Sequence, residues 1–172
     1  MSVRQVLRMG HPQLMKPSQD IIDFSSPNLK EWIQDMKDTM EAEGGVGIAA
    51  PQIGEFVNII LFGFEHSEHY PKAPSIPFTI LINPCFSPVG DQMVQDWEGC
   101  LSVPGLRGLV PRYQHISYTG QDIDGHVLQG EATGFHARVI QHEYDHLQGI
   151  LYPSRIRNFQ YFGFEAALAN NI

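Results

Sequence analysis

Gly134-Phe135-His136-Ala137-Arg138-Val139-Ile140-Gln141-His142-Glu143-Tyr144-Asp145-His146-Leu147 is the stretch on which the fold turns. Phe135 and Val139 stand four apart, and His142 follows three further on, so all three share one helical face. Gly149 lies just past the end, where a residue able to adopt the left-handed conformation closes a helix. The spacing predicts an α-helix from Gly134 to Leu147. Inside it is an H-E-x-x-H motif, His142-Glu143-Tyr144-Asp145-His146. Because residues four apart lie one above the other, both imidazoles can reach a single metal ion. Glu143 can reach water at such a metal without ligating it, take a proton and return it to a leaving amine. The bland alternative is a helix that carries two histidines by chance. The helical context favours metal chemistry, since that spacing has meaning only on a helix.

Two histidines leave the site incomplete, because a catalytic metal takes about three protein ligands and keeps one position open. The residues after His146, Leu147-Gln148-Gly149-Ile150-Leu151-Tyr152, offer no further histidine of the metzincin kind and no glutamate. The third ligand must come from elsewhere: Cys85, Cys100, His115, His126, His136 and several acids are candidates. Cys100 stands out, in Glu98-Gly99-Cys100-Leu101-Ser102-Val103-Pro104-Gly105, where glycine lets the backbone approach a ligand closely. Cys85, between Pro84 and Phe86, reads as a buried, inert thiol.

Working outward, Ser26-Pro27 opens an earlier helix with Leu29, Trp32, Ile33, Met36 and Met40 on one face, and Gly44-Gly45 ends it. Phe56–Phe62 and Phe78–Ile82 read as strands, and Glu65–Pro77 as a surface excursion between them. Gln114–Tyr118 and His126–Gln129 flank Asp124-Gly125 as a hairpin. The tail from Arg157 to Ala169 is expected to form a third helix. Strands clustered before and around a helix, without βαβ alternation, predict an α+β fold. The expected form is a single compact domain over residues 1–172, with antiparallel or mixed sheets packed around a central metal-binding helix.

The chain has 172 residues, of which 42% are hydrophobic and 17% charged, which suits one globular core. No apolar run approaches the roughly 18–20 residues needed to cross a bilayer. Met1-Ser2-Val3-Arg4-Gln5-Val6 begins no long apolar stretch, so neither a secretory signal nor an organelle leader is expected. With 19 acidic against 11 basic residues the net charge is -8, and the scattered cations leave no nucleic-acid patch. Two cysteines are too few for a disulfide framework, and both are expected to be reduced.

Three segments together resemble the peptide deformylase family: Gly45-Val46-Gly47-Ile48-Ala49-Ala50-Pro51-Gln52, Glu98-Gly99-Cys100-Leu101-Ser102 and Gln141-His142-Glu143-Tyr144-Asp145-His146. They stand in the family's order. Likeness continues in Leu7-Arg8-Met9-Gly10-His11-Pro12 and Leu109-Val110-Pro111-Arg112, and covers nearly everything from residue 6 to residue 152. The resemblance implies a divalent metal on Cys100, His142 and His146, with Glu143 as general acid and base. It implies that Gln52 and the Leu101 N–H polarise the formyl oxygen, where donors lower the barrier to an oxyanion most. It implies ferrous iron as the native metal; the Cys/His/His set also suits zinc, nickel or cobalt, which purified protein could carry.

The implied reaction removes the formyl group from formyl-methionyl ends of nascent peptides, releasing formate. The peptide is expected to run extended beside Gly45, Gly47 and Gly99, like an added strand. Val46, Trp97, Phe135 and Val139 are the candidate walls of a methionine pocket, against the alternative that they are ordinary core residues. Arg107 is a candidate holder of peptide carbonyls, and Arg138 either borders the pocket or reaches solvent. Asp145 is expected to pair with Arg112 and steady the metal-bearing helix, against the alternative of an unpartnered surface acid. Trp97 and Phe135-His136-Ala137-Arg138 depart from the common bacterial pattern toward the subgroup that includes organellar members. A cytoplasmic monomer is expected, with the ribosome exit region as a further partner inferred from the family and not from a surface patch. Two other readings compete: a zinc endopeptidase, which wants a histidine or glutamate as third ligand, and a non-catalytic metal- or peptide-binding domain, which would not need Glu143.

Overall fold

A computed structural model describes residues 2–168. Ser26 precedes the first helix, α1 (Pro27–Ala42), with Pro27 at its first position, and Leu29, Ile33, Met36 and Met40 form its buried face. Its end follows from Gly44, whose φ of 65° is the left-handed conformation. There Gly44 N–H donates to Glu41 O and Gly45 N–H to Met40 O, the paired bonds of a Schellman closure. The chain leaves that closure directly into β1 (Gly47–Ala49).

Two antiparallel sheets follow. The larger runs in the order β1, β2 (Ile59–Phe64), β3 (Ile76–Pro88), β6 (His115–Gln121), β7 (Val127–Thr133). The smaller runs β4 (Met93–Cys100), β5 (Val103–Tyr113), β8 (Phe162–Phe164). The central helix, α2 (Gly134–Leu147), packs on β1, β2 and β7 of the first sheet and on β5 of the second. The α+β architecture with a central helix is therefore as expected. Both sheets are antiparallel in every registered strand pair.

Strand β2 explains why its sequence is apolar throughout rather than alternating. Ile59 and Leu61 enter the core beneath α1, while Ile60 and Phe62 enter the core beneath α2. With both faces covered, each residue is removed from water, and each such side chain contributes about 1.5–3 kcal/mol relative to exposure. That continuous burial anchors β1, and with it Gly47, beside α2.

Several expectations need correction. The strand expected at Phe78–Ile82 runs on through Asn83-Pro84 to Pro88, past an irregularity between Ile82 and Cys85. Asn83 absorbs that irregularity with φ at 50° and bonds both backbone groups of Ile21 through its side chain. Beyond it the alternation leaves Cys85 exposed, not buried. The tail is not one helix. Phe159–Tyr161 is a 3-10 turn, Phe162–Phe164 pairs with β5, and only Glu165–Leu168 (α3) is helical; Ala169 lies outside the described residues. Pairing of Phe162, Gly163 and Phe164 with Gly108, Arg107 and Leu106 gives those backbone groups ladder partners, which a lone short helix could not provide.

Candidate active site

The metal-binding candidates come from two elements far apart in sequence. α2 supplies His142 and His146 on one face, and the end of β4 supplies Cys100. One donor atom from each lies within 4.8 Å of the others. Cys100 Sγ is 3.3 Å from His146 Nε2, and Gln52 Nε2 approaches the same sulfur at 3.7 Å. The competing third ligands are not brought here: His115 pairs with Glu131, His126 with Asp122, and Cys85 is exposed on β3.

Whether these residues suit a cation is answered by the histidines. His142 Nδ1 bonds Glu98 Oε2 at 2.8 Å, which leaves Nε2 to face Cys100. Burial alone would depress the protonation of His142, yet Cys100 and Glu98 raise it well above the ordinary imidazole range. The Glu98 carboxylate against this ring favours positive charge here. Burial, with the charges of His142 and Arg112 adding to it, holds His146 well below its ordinary range, so its ring is neutral with a lone pair to offer. One cysteine sulfur and two imidazole nitrogens beside an open cleft fit a divalent metal.

Glu98 organises the site, although the sequence suggested no role for it. It is buried, and β4 aims it at α2 along with Cys100, its neighbour two positions on. Its Oε1 accepts from Arg112 Nε at 2.8 Å and Arg138 Nη1 at 2.7 Å; Oε2 accepts from Arg112 Nη2 at 3.0 Å and from His142. Burial would push this carboxyl up, but Arg112, seconded by His142, holds it well below the usual carboxylate range. Arg112 also bonds Asp145, the pair expected from sequence, and Arg155 joins it with two further bonds to Asp145. Of the two expected positions for Arg138 the first holds: it borders the cleft rather than reaching solvent, and it is buried, donating to Val110 O and Val94 O besides Glu98. The i,i+2 spacing of Glu98 and Cys100 on a strand was the signal available for Glu98.

The polar groups around the metal candidates are held in defined orientations. Ala49 N–H donates to Gln52 Oε1 at 2.8 Å, which turns the Gln52 amide N–H₂ toward Cys100 and the Ser102 hydroxyl. Glu143 Oε2 is buried with no hydrogen-bond partner among the described residues. Burial pushes its carboxyl up to about 7. Gly47 makes room for it: a Cβ on Gly47 would stand 2.5 Å from Glu143 Oε1. That is the physical need for glycine here, a close approach rather than an unusual φ.

A cleft of about 260 Å³ opens over these atoms. Val46, Gly47, Gly99, Leu101, Arg107, Phe135 and Val139, all singled out from sequence, line it, as do Cys100, His142 and Glu143. Trp97 is not among its lining residues. Strand alternation turns Glu98 toward α2 and the half-buried Trp97 the other way. Tyr70, from the Glu65–Pro77 excursion, does line the cleft and was not anticipated. Arg107 is engaged with the protein: its Nε meets Glu165 Oε1 at 2.9 Å, and Nη2 donates to His69 O.

Fold and site together are those of an α+β protein with a possible metal site at the floor of an open cleft. The sequence matches the Polypeptide deformylase family over residues 3–161, and the chain belongs to that family. It is thus a metal-dependent enzyme that removes the N-formyl group from nascent peptides. Peptide deformylase 1 of Nitrosomonas europaea is 52% identical over 166 residues, 96% of this chain and 94% of that protein. Peptide deformylase 1 of Xanthomonas campestris pv. campestris is 49% identical over 170 residues, 99% of both chains. Among solved structures, the Met-Ala-Ser-bound class I type b peptide deformylase of Acinetobacter baumannii superposes with a TM-score of 0.86 at 33% identity, covering 90% of this chain and 99% of that one. No helix among the described residues is long and apolar enough to cross a membrane.

Proposed function

We propose that Cys100, His142 and His146 hold one divalent metal, natively ferrous iron, and that Glu143, Gln52 and Leu101 carry out the deformylation. The observation that carries this reading is the convergence of the three donor atoms within 4.8 Å beside a buried, unpartnered Glu143 oxygen. When bound, the cation supplies Lewis acidity, which acidifies water and polarises a carbonyl. Glu143 takes the proton of the attacking water and passes it to the amine nitrogen as the formyl C–N bond breaks. Formate and a free N-terminus result. The Gln52 amide, locked by Ala49, and the Leu101 N–H donate to the oxygen on which negative charge develops.

Gly47 and Gly99 flank the peptide backbone, and Val46, Phe135 and Val139 surround the methionine side chain. The similar Acinetobacter baumannii enzyme binds Met-Ala-Ser, which supports a peptide led by methionine as the occupant of this cleft. Arg112 and Asp145, with Glu98, steady the metal-bearing helix. The reading extends to residues 1–172 as one catalytic domain, working as a cytoplasmic monomer on chains leaving the ribosome.

The test is formate release from a short formyl-Met peptide by protein prepared without oxygen and assayed for metal, with an acetylated peptide as control. Metal-dependent release that Glu143→Ala abolishes while retaining its metal supports the assignment. A fully metal-loaded protein that releases no formate refutes it, and endopeptidase substrates would be tried next.

A further inference from the structure

The excursion between β2 and β3 sends one aromatic residue into the cleft. Tyr70 lines it together with Phe135 and Val139. The ring centroids of Tyr70 and Phe135 are 4.8 Å apart, and Phe64 meets Phe135 edge-on at 6.0 Å. Arg107 lies over the Tyr70 ring, 5.0 Å from its centroid. The Tyr70 hydroxyl accepts from Gly99 N–H at 3.2 Å, the residue next to Cys100. Arg107 also donates to His69 O and is anchored by Glu165 on α3. One loop residue is thus clamped to α2, β4 and β5 at once.

Position gives this clamp a consequence. Phe135, Val139 and His142 form one stripe along α2, spanning about 10 Å at 1.5 Å per residue. A substrate side chain laid along that stripe from His142 and Glu143 would run toward Phe135. Tyr70 stands at the far end of it. We propose that Tyr70 is a specificity-determining residue whose ring, packed on Phe135, closes the side-chain pocket at the length of an unbranched methionine side chain. Arg107 is the positioning residue that presses the ring into place, rather than a holder of substrate carbonyls. The inference rests on the reading that this cleft takes a formyl-methionyl end. It gives Tyr70, and not Trp97, the aromatic wall.

The experiment compares kcat/KM for formate release from formyl-Met, formyl-Leu and formyl-Phe tripeptides of otherwise identical sequence. For Tyr70→Ala the preference for Met over Phe falls about tenfold or more, the discrimination one apolar contact provides. Tyr70→Phe keeps the ring without the Gly99 bond, and its preference stays within about threefold of the unaltered enzyme. Tyr70→Leu keeps apolar packing on Phe135 but is shorter, and shifts the preference in the same direction as alanine. A merely structural role would lower all three substrates by one factor and leave their ratios alone. Unchanged ratios in the Ala and Leu variants, or an equal loss of preference in Tyr70→Phe, overturn the proposal while the deformylase reading stands. Absence of formate release from the unaltered, metal-loaded enzyme overturns both.

Discussion

Replacing Glu98 by glutamine keeps the side chain's shape and removes its charge from a site that is 3% exposed. The carboxylate accepts four bonds, two at each oxygen, from Arg112, Arg138 and His142. Whichever way the amide turns, two of those donors face an N–H₂ group. Arg112 keeps Asp145, and Arg138 keeps the carbonyls of Val94 and Val110, so neither guanidinium is fully orphaned. Removing one member of a buried ion pair costs about 3–5 kcal/mol, and the surviving partners put Glu98→Gln near the lower limit. At roughly 2–4 °C per kcal/mol for a chain of this size, the midpoint should fall by about 6–12 °C. His142 also loses the carboxylate that orients its ring, so metal affinity should drop about 10–100-fold. Urea unfolding of metal-free protein isolates the stability effect, and chelator competition reads the metal. A metal-free Glu98→Gln protein within about 1 kcal/mol of the parent would refute the reasoning, because the network would then be worth no more than a surface pair.

Gly47→Ala places a methyl 2.5 Å from Glu143 Oε1 and forces that carboxylate to shift, so turnover should fall at least tenfold with metal content unchanged; metal analysis beside formate release checks it. Metal-loaded protein should expose one rapidly reacting thiol, Cys85, and a second, Cys100, only after chelation, as read by a colorimetric thiol reagent; two fast thiols in loaded protein would contradict the ligand assignment. Asp35, buried on α1, tends upward through burial, but bonds from Arg4 and Ser2 hold its carboxyl below the usual range. A depressed folded pKa means that the stabilisation is present above the ordinary carboxylate pKa of about 4 and is lost as pH falls through the folded value. The difference in urea midpoint between the parent and Asp35→Asn should therefore be largest near neutrality and shrink steadily below about pH 4; a constant difference would contradict it.

Relations within one helix could be read directly. His142 and His146 face one point because a helix repeats every 3.6 residues, and Gly44 and Gly149 close α1 and α2 because only local backbone geometry is involved. Cys100 could be named third ligand only through resemblance, since its distance from His146 depends on how the β4–β5 hairpin packs against α2. Cys85 was misjudged for a similar reason: the irregularity after Ile82 reverses which side faces out, and no composition signal marks it.

The sequence by itself determined the helix, its histidine pair, the acid beside it and the α+β class, all consequences of short-range periodicity. Tertiary structure alone decided that Glu98 meets Arg112, Arg138 and His142, that Gly47 yields space to Glu143, and that Tyr70 rather than Trp97 enters the cleft. Those contacts join residues 14 to 96 positions apart, and their partners are chosen by the packing of two sheets on one helix, where no period in the sequence records the choice.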